Sequence, residues 1–424
     1  MAGIHEVHIE ELAKKNVSAS SKLSLSAQFY YSPETYELER RAIFSRQWIL
    51  ISHSARYKNT GDFVQYEMAG FNFVVLKNKT GEIVAFHNIC RHRAFPLVTK
   101  QSGHAYVLSC KYHGWTYNLS GQLVKAPRFT PDSVAGFETS QIKLFSIHAH
   151  VDRNGFVYVN LDASEEPVVS WEDQYGDMDQ QKALVESGID WTKVEHDFTW
   201  TAEGNFNWKL MQDNYNECYH CLTAHPAVAK TTNLDTYFVA PSPEPTAYIS
   251  HFNEPKVTTL SEFDETRFHG RSATHVFPIG HFSPNPGTGF MHLMRSMPTS
   301  PTTTRQEYDV YKLHTPAATP DLHDSMAKFY KQVTAEDVEL CNLAQQNLQR
   351  GIYTSGLLHP FHEEGVMAFQ DTVRRVLSEH VKREEQAGKK ISPAERERGT
   401  SSRSDGIESK ILKCALLQSK DLSW

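Results

Sequence analysis

The chain has 424 residues, 40% hydrophobic and 22% charged, with a formal net charge of −7 and six cysteines. That length supports a large core and about two to three domains, and an acidic balance with scattered Lys and Arg argues against nucleic-acid binding. The opening MAGIHEVHIEELAKKN fits neither a secretory signal nor an Arg-rich transit peptide, and no stretch approaches the ~18 apolar residues of a membrane span, so a cytoplasmic, reducing setting is expected. In that setting free Cys points to metal binding or catalysis more often than to disulfides.

Residues 30–48 (YYSPETYELERRAIFSRQW) read as a helix started by Ser32 or Pro33, with Tyr36, Leu38, Ile43 and Phe44 as its apolar contacts. From 49 to 160 the character changes to short β-branched and aromatic runs: WILISHSA, GDFVQYEMAG, FNFVVLKNKTG, EIVAFHNIC, YVLSCKYHGWTYNLSGQLV and GFVYVNLD. Gly, Asn and Asp break them, as in an all-β module. From 161 to 382 strand-like stretches (TAYISHF, FMHLMRSM, TTTRQEYDVYKLH) mix with helices expected at about 204–224, 322–350 and 362–382. An α+β second domain follows. The segment 383–424 opens charged, with Gly, Ser and Pro and little apolar content, and is expected to be a mobile tail.

Two paired turns carry the first chemistry. Cys90-x-His92 is followed by 17 residues and then Cys110-x-x-His113, each turn lying at the end of a strand-like run. Zinc accepts two thiolates and two imidazoles. A Rieske [2Fe–2S] centre takes the same four ligands, with two Cys on one iron and two His on the other. Zinc sites of this composition usually pair Cys with Cys and His with His. Here each turn is mixed and the second runs into Gly114-Trp115, so the pattern resembles the Rieske signature CxH…CxxHG(W/F). In that reading Cys90 and Cys110 hold one iron, and His92 and His113 the other.

A Rieske centre moves a single electron, so a destination is needed. NWKLMQDNYNECYHCLTAHP (207–226) offers Asn214, Glu217 and His220 at helical spacing. His225 lies five residues past His220, about 140° round an ideal helix, so an unbroken helix cannot aim both at one metal. Pro226 disfavours helical geometry at the residue before it and lets the chain turn His225 back. Two imidazoles and a carboxylate make the facial triad of a non-haem Fe(II) oxygenase. The helix DSMAKFYKQVTAEDVELCNLAQQNLQRG supplies Asp337 within the stripe Met326, Tyr330, Val333, Cys341, Ala344 and Leu348, where an unpartnered carboxylate would be costly. Asp371 is the rival, off the Val366, Phe369, Val373 and Val376 stripe of its own helix.

Over roughly residues 25–380 the chain resembles the oxygenase α subunits of Rieske non-haem iron oxygenases. The resemblance rests on the order helix, Rieske module, larger domain, and on an NxxExxHxxxxHP-like metal motif. It implies an all-β Rieske [2Fe–2S] domain, a catalytic domain of antiparallel sheet and helices, mononuclear Fe(II) at His220, His225 and Asp337, and a head-to-tail homotrimer. It also implies dioxygen as co-substrate and a separate ferredoxin or flavin reductase. Glu217 corresponds to the acid that bridges the two centres across a subunit boundary. Glu rather than Asp there is similar to the subgroup acting on choline, carnitine or betaines. Asn214 matches a position near the iron. The alternative substrate is an aromatic or natural product. A trimethylammonium group is best held by aromatic faces, and Tyr237, Phe238, Tyr248, Phe252, Phe277, Phe282 and Phe290 are candidates for such a cage. No GxGxxG follows a strand, so a nicotinamide site of its own is not expected.

Overall fold

The structure, a computed structural model, describes residues 22–130, 133–134, 136–185, 187–255, 271–315 and 319–396. The opening segment to residue 21 and most of the expected tail, from 397, lie outside the described residues. Helix α1 (Pro33–Glu39) starts as the sequence suggests: Pro33 occupies its first turn and the Ser32 hydroxyl accepts from the Thr35 N–H. It then widens into a π turn over Arg40–Phe44, which buries Ala42, Ile43 and Phe44 in succession. The expected helix therefore ends before Ser45 rather than at Trp48.

Ten strands follow: β1 (Ile49–His53), β2 (Asp62–Met68), β3 (Phe71–Lys77), β4 (Ile83–His87), β5 (Ser102–His104), β6 (Leu108–Ser109), β7 (Thr116–Tyr117), β8 (Leu123–Lys125), β9 (Ser146–Val151) and β10 (Phe156–Asn160). Among the described residues they make an antiparallel sheet in the order β1-β10-β9-β4-β3-β2-β5 and a small one, β6-β7-β8. β1 is buried on both faces: Ile49 and Ile51 enter one core cluster, and Leu50 enters another with Phe156 and Phe282. β9 escapes the sequence reading because SIHAHV places histidines where apolar residues are expected. One of them, His150, stacks on Trp171 at 4.5 Å.

The larger domain holds an antiparallel sheet in the order β11-β17-β16-β15-β14-β13-β12. Its strands are β11 (Glu195–Gly204), β12 (Thr232–Pro241), β13 (Tyr248–Pro255), β14 (Arg271–Val276), β15 (Gly280–Asn285), β16 (Phe290–Ser300) and β17 (Thr303–Lys312). The three strand-like stretches named from the sequence become β13, β16 and β17. β15 carries Gly280 and Pro284, which weaken any strand signal. Gly280 is needed there, since a Cβ would meet Leu50 Cβ at 3.0 Å.

Beside two short helical turns, Trp171–Tyr175 and Lys182–Val185, the domain carries helices α2 (Trp208–Tyr215), α3 (Cys221–Ala224), α4 (Pro226–Thr231), α5 (Pro320–Leu348) and α6 (Glu364–Ala387). α2 anchors on α1 through a wholly buried ion pair, Lys209 Nζ to Glu39 Oε1 at 2.5 Å, while Trp208 Nε1 donates to the other oxygen at 2.9 Å. The Trp208 ring meets Phe44 and Phe369 edge-on. On α5 the buried stripe departs from the expected one at its end. Ala344 faces solvent and Gln345 is buried, because its amide accepts from Asn207 N–H at 2.9 Å and donates to Tyr30 O at 3.0 Å. α6 buries Val366, Phe369, Val373 and Val376 as expected.

α6 also overruns its expected end at Lys382 and stops at Gly388, whose φ of 62° suits only glycine comfortably. The first part of the expected mobile tail is thus packed. Glu384 pairs with Arg41 at 2.7 Å and accepts from Ile391 N–H at 3.0 Å, and Ala163 N–H donates to Pro393 O at 2.7 Å. Charged composition mimics disorder here although one of the charges, Glu384, has fixed partners. Among the described residues no helix is long and apolar enough to cross a membrane.

Candidate metal centres

The two Cys/His turns fold alike. Cys90 N–H donates to Phe95 O and Ala94 N–H returns to Cys90 O, and Cys110 does the same with Trp115 and Gly114. Each turn closes on a residue of positive φ, Ala94 at 56° and Gly114 at 72°. The cysteines are buried, at 2% and 3% exposure, whereas His113 is exposed and His92 partly so. His92 and His113 sit side by side with ring centroids 4.6 Å apart, and His92 stacks on Trp115 at 4.9 Å. His92 Nδ1 is buried without a hydrogen-bond partner, which is the orphaned lone pair that a metal takes up. Burial, with His113 and Arg93 nearby, holds the His92 imidazole below its usual pKa. The donor set fits a [2Fe–2S] cluster, which the buried Cys90 and Cys110 thiolates and the more exposed His92 and His113 imidazoles would hold. Tyr117, which sequence reasoning missed, sets its hydroxyl 3.5 Å from Cys90 Sγ and accepts from Arg91 N–H at 3.0 Å.

The second centre forms where α2 breaks. The expected helix over 204–224 stops at Tyr215, and Asn216 caps it with a non-helical ψ of 15°. The next residues turn instead: Glu217 accepts from the backbone N–H groups of Tyr219 and His220 and from His220 Nδ1. His225 sits between α3 and α4, with φ −121° and ψ 79°, and Pro226 opens α4. This junction aims both imidazoles one way. His220 Nε2 and His225 Nε2 lie 3.1 Å apart, and Asp337 Oδ1 on α5 is 2.9 Å from the second and 3.6 Å from the first.

The three ligand atoms lie within 4.8 Å of one another, a grouping that fits a single metal ion. Each imidazole is held from behind by a carboxylate on Nδ1: Glu217 for His220, and Glu336 for His225 at 2.7 Å. Such partners fix the tautomer that leaves Nε2 free to ligate. Burial alone would lower the His225 pKa, but Asp337 and Glu336 outweigh it and hold it above its usual value. Glu336 escaped the sequence reading although it is adjacent to Asp337. Asp371 is far from this chemistry, bound to Lys22 at 2.7 Å and Arg374 at 2.9 Å.

The sequence reading treats the cysteines as free. The structure bridges Cys218 and Cys221, because the turn after α2 brings their Cα atoms to 5.0 Å, and leaves Cys90, Cys110 and Cys341 free among the described residues.

A cavity opens onto the His220, His225 and Asp337 group. Asn214, Glu217, Tyr215, Tyr237, Phe329 and Tyr330 help line it, and among its described lining residues there is no Lys or Arg. Asn214 Oδ1 is buried without a partner. Of the seven aromatics expected to form a cage, only Tyr237 lines the cavity. Phe238 stacks on Phe252, and Phe282 on Phe156. Phe277 and Phe290 belong to core clusters, and Tyr248 packs beside one. Strand alternation is the reason: Phe282 points away from the face that carries His281 and Ser283. The rings that do face the cavity stand mainly on helices: Tyr215 ends α2, just before the turn that carries His220, and Phe329 and Tyr330 lie about two turns before Asp337 on α5.

Residues 47–144 match the family described as Rieske [2Fe-2S] domain, and residues 191–379 the one described as Ring hydroxylating alpha subunit (catalytic domain). The carnitine monooxygenase oxygenase subunit of Acinetobacter pittii (strain PHEA-2) is 29% identical over 354 residues, which cover 81% of this chain and 92% of the relative. The chloroplastic choline monooxygenase of Atriplex hortensis is 25% identical over 367 residues, 85% of this chain and 80% of that one. Among solved structures, the quaternary ammonium Rieske monooxygenase CntA in complex with L-carnitine superposes with a TM-score of 0.72 at 26% identity, over 84% of this chain and 96% of that one.

Proposed function

Because the chain belongs to the oxygenase α subunits of the Rieske non-haem iron oxygenases, we propose that it hydroxylates a small quaternary ammonium alcohol, choline, to betaine aldehyde hydrate. The observation that carries this reading is the cavity wall: aromatic rings and the carboxylates of Glu217 and Asp337, with no Lys or Arg among the described lining residues. Such a wall favours a cation that cannot donate a hydrogen bond and must be held by π faces and negative charge. Relatives acting on carnitine and choline support the same class.

When bound, ferrous iron at His220, His225 and Asp337 supplies dioxygen activation, and the Rieske cluster at Cys90, His92, Cys110 and His113 supplies electrons singly. The chain's own contribution is placement. Glu217 and Glu336 hold the imidazoles by Nδ1, while Tyr215, Tyr237 and Tyr330 offer ring faces to the cation and exclude water from it. Hydroxylation at the alcohol carbon yields a gem-diol, which is the hydrated aldehyde. The absence of a nicotinamide fingerprint supports a separate reductase as electron source.

Oxygen uptake by the purified protein with a generic reductase and NADH tests the reading. Choline should stimulate uptake and yield betaine aldehyde in step with the oxygen consumed. Stimulation by simple aromatics alone, with none from choline, carnitine or glycine betaine, would overturn it.

A further inference from the structure

One wall of the cavity is built from imidazoles that the metal centre does not use. His251 on β13, His281 on β15 and His292 on β16 all line it, with exposures of 6%, 7% and 3%. Their rings form a ladder: His251 to His281 is 5.8 Å edge-on, and His281 to His292 is 6.0 Å with the planes 20° apart. Ala273, on the strand between β13 and β15, stands opposite His251 and also lines the cavity, so its small side chain leaves the two rings room to meet. Burial holds all three imidazoles far below their usual pKa, His281 at about 4, and their mutual repulsion adds to it for His251 and His292. They are neutral at any physiological pH, so each presents one N–H donor and one lone pair.

Those donors and acceptors are not used up. His251 Nδ1 meets the Tyr237 hydroxyl at 2.9 Å, but His251 Nε2, His281 Nδ1 and His292 Nδ1 are buried without hydrogen-bond partners. Three such nitrogens on side chains that line one cavity wall leave hydrogen-bonding capacity that a ligand can take up.

We propose that His251, His281 and His292 form the subsite for the hydroxyl end of the substrate, so that the enzyme selects a neutral amino alcohol over betaines ending in a carboxylate. The inference rests on the quaternary ammonium reading above and adds the residues that discriminate within that class. A hydroxyl both donates and accepts, which matches a neutral imidazole on either nitrogen. A carboxylate only accepts, so it leaves the imidazole lone pairs without a donor, and no Lys or Arg among the described lining residues of this cavity is there to pair with it. Engaging the oxygen also leaves the carbinol C–H bonds free to face the metal ligands.

Anaerobic calorimetric titration of the protein carrying both metal centres separates binding from turnover. Three probes suffice: choline, ethyltrimethylammonium, which has its shape without the hydroxyl, and glycine betaine. Wild type should bind choline about tenfold more tightly than either of the others. His281→Phe keeps a ring and removes the nitrogens, so it should erase the preference over ethyltrimethylammonium while leaving ethyltrimethylammonium affinity within about twofold. His292→Phe provides the same comparison should the first variant lose its Rieske absorbance. Equal affinity of wild type for choline and ethyltrimethylammonium, tighter binding of glycine betaine, or an unchanged preference in a folded variant would overturn the subsite alone. Failure of every quaternary probe to bind would overturn the substrate reading as well.

Discussion

Asp337 and Asp371 differ in what surrounds them, and that difference is testable. Asp337 is 1% exposed and faces two imidazoles, while Asp371 is paired with Lys22 and Arg374 at the surface. Replacing an outer carboxylate behind a metal ligand typically costs about 10–100-fold in affinity or activity, so removing the ligand itself should cost more. Asp337→Ala should therefore lose bound mononuclear iron and at least about 100-fold in turnover with the Rieske spectrum intact. Asp371→Ala should leave both unchanged. Iron content by elemental analysis beside the visible spectrum decides it, and an active Asp337→Ala enzyme would show that the iron is held elsewhere. The converse holds for the other centre. His92→Ala or Cys110→Ala should abolish the [2Fe–2S] absorbance and retain mononuclear iron, since the ligands come from separate sheets and helices.

The end of α6 shows how an element is tied down by charge. The Glu384 carboxyl is partly desolvated, which raises its pKa, yet the Arg41 guanidinium and the Ile391 N–H prevail and hold it at about 2. An unfolded Glu titrates near 4.3, so the folded value is depressed and the contact stabilises fully above that pH. The stabilisation is lost as the pH falls towards about 2. Glu384→Gln should cost on the order of 2–3 kcal/mol at pH 7 and almost nothing near pH 2, which denaturant midpoints at the two pH values would show. An equal loss at both pH values would mean that packing rather than charge holds the helix end.

Across the whole molecule the two centres must exchange electrons, and the surfaces around them indicate how. Glu217 grips His220 from behind, beside Tyr219 and Leu222, which are 60% and 72% exposed. Around the Rieske turns Phe95, Tyr106 and Tyr112 are also exposed. Apolar side chains left in solvent beside both centres suit an interface that pairs one patch with the other, and a head-to-tail contact of that kind closes into a ring. A trimer by light scattering is the expected assembly. Glu217→Gln should preserve it, together with both metal centres, while slowing oxidation of the pre-reduced Rieske cluster about 10–100-fold in a single turnover. An unaltered rate, or a fully active monomer, would route the electrons another way.

The ligand types at both centres were legible in the sequence because metal chemistry tolerates few side chains and places them at short, recognisable spacings. Cys90, His92, Cys110 and His113 come from two local turns, and their closeness in space needs little beyond a hairpin pair. His220 and His225 were also visible, though the reason they meet was not: α2 breaks at Asn216, before the Pro226 that the sequence offered as the break. That break depends on Glu217 folding back onto backbone N–H groups, a contact that helical spacing does not display. The aromatic lining was misplaced for a related reason, since the face on which a strand residue points follows from register, and β15, the strand carrying both Phe282 and His281, is not legible in the sequence. The histidine ladder is wholly a tertiary product: His251, His281 and His292 lie on three strands, and only the antiparallel register stacks their rings on one wall. Sequence alone determined which atoms could bind metal. Which atoms a substrate would meet was decided by packing, because burial and strand register set both the direction of a side chain and whether its polar atoms find a partner.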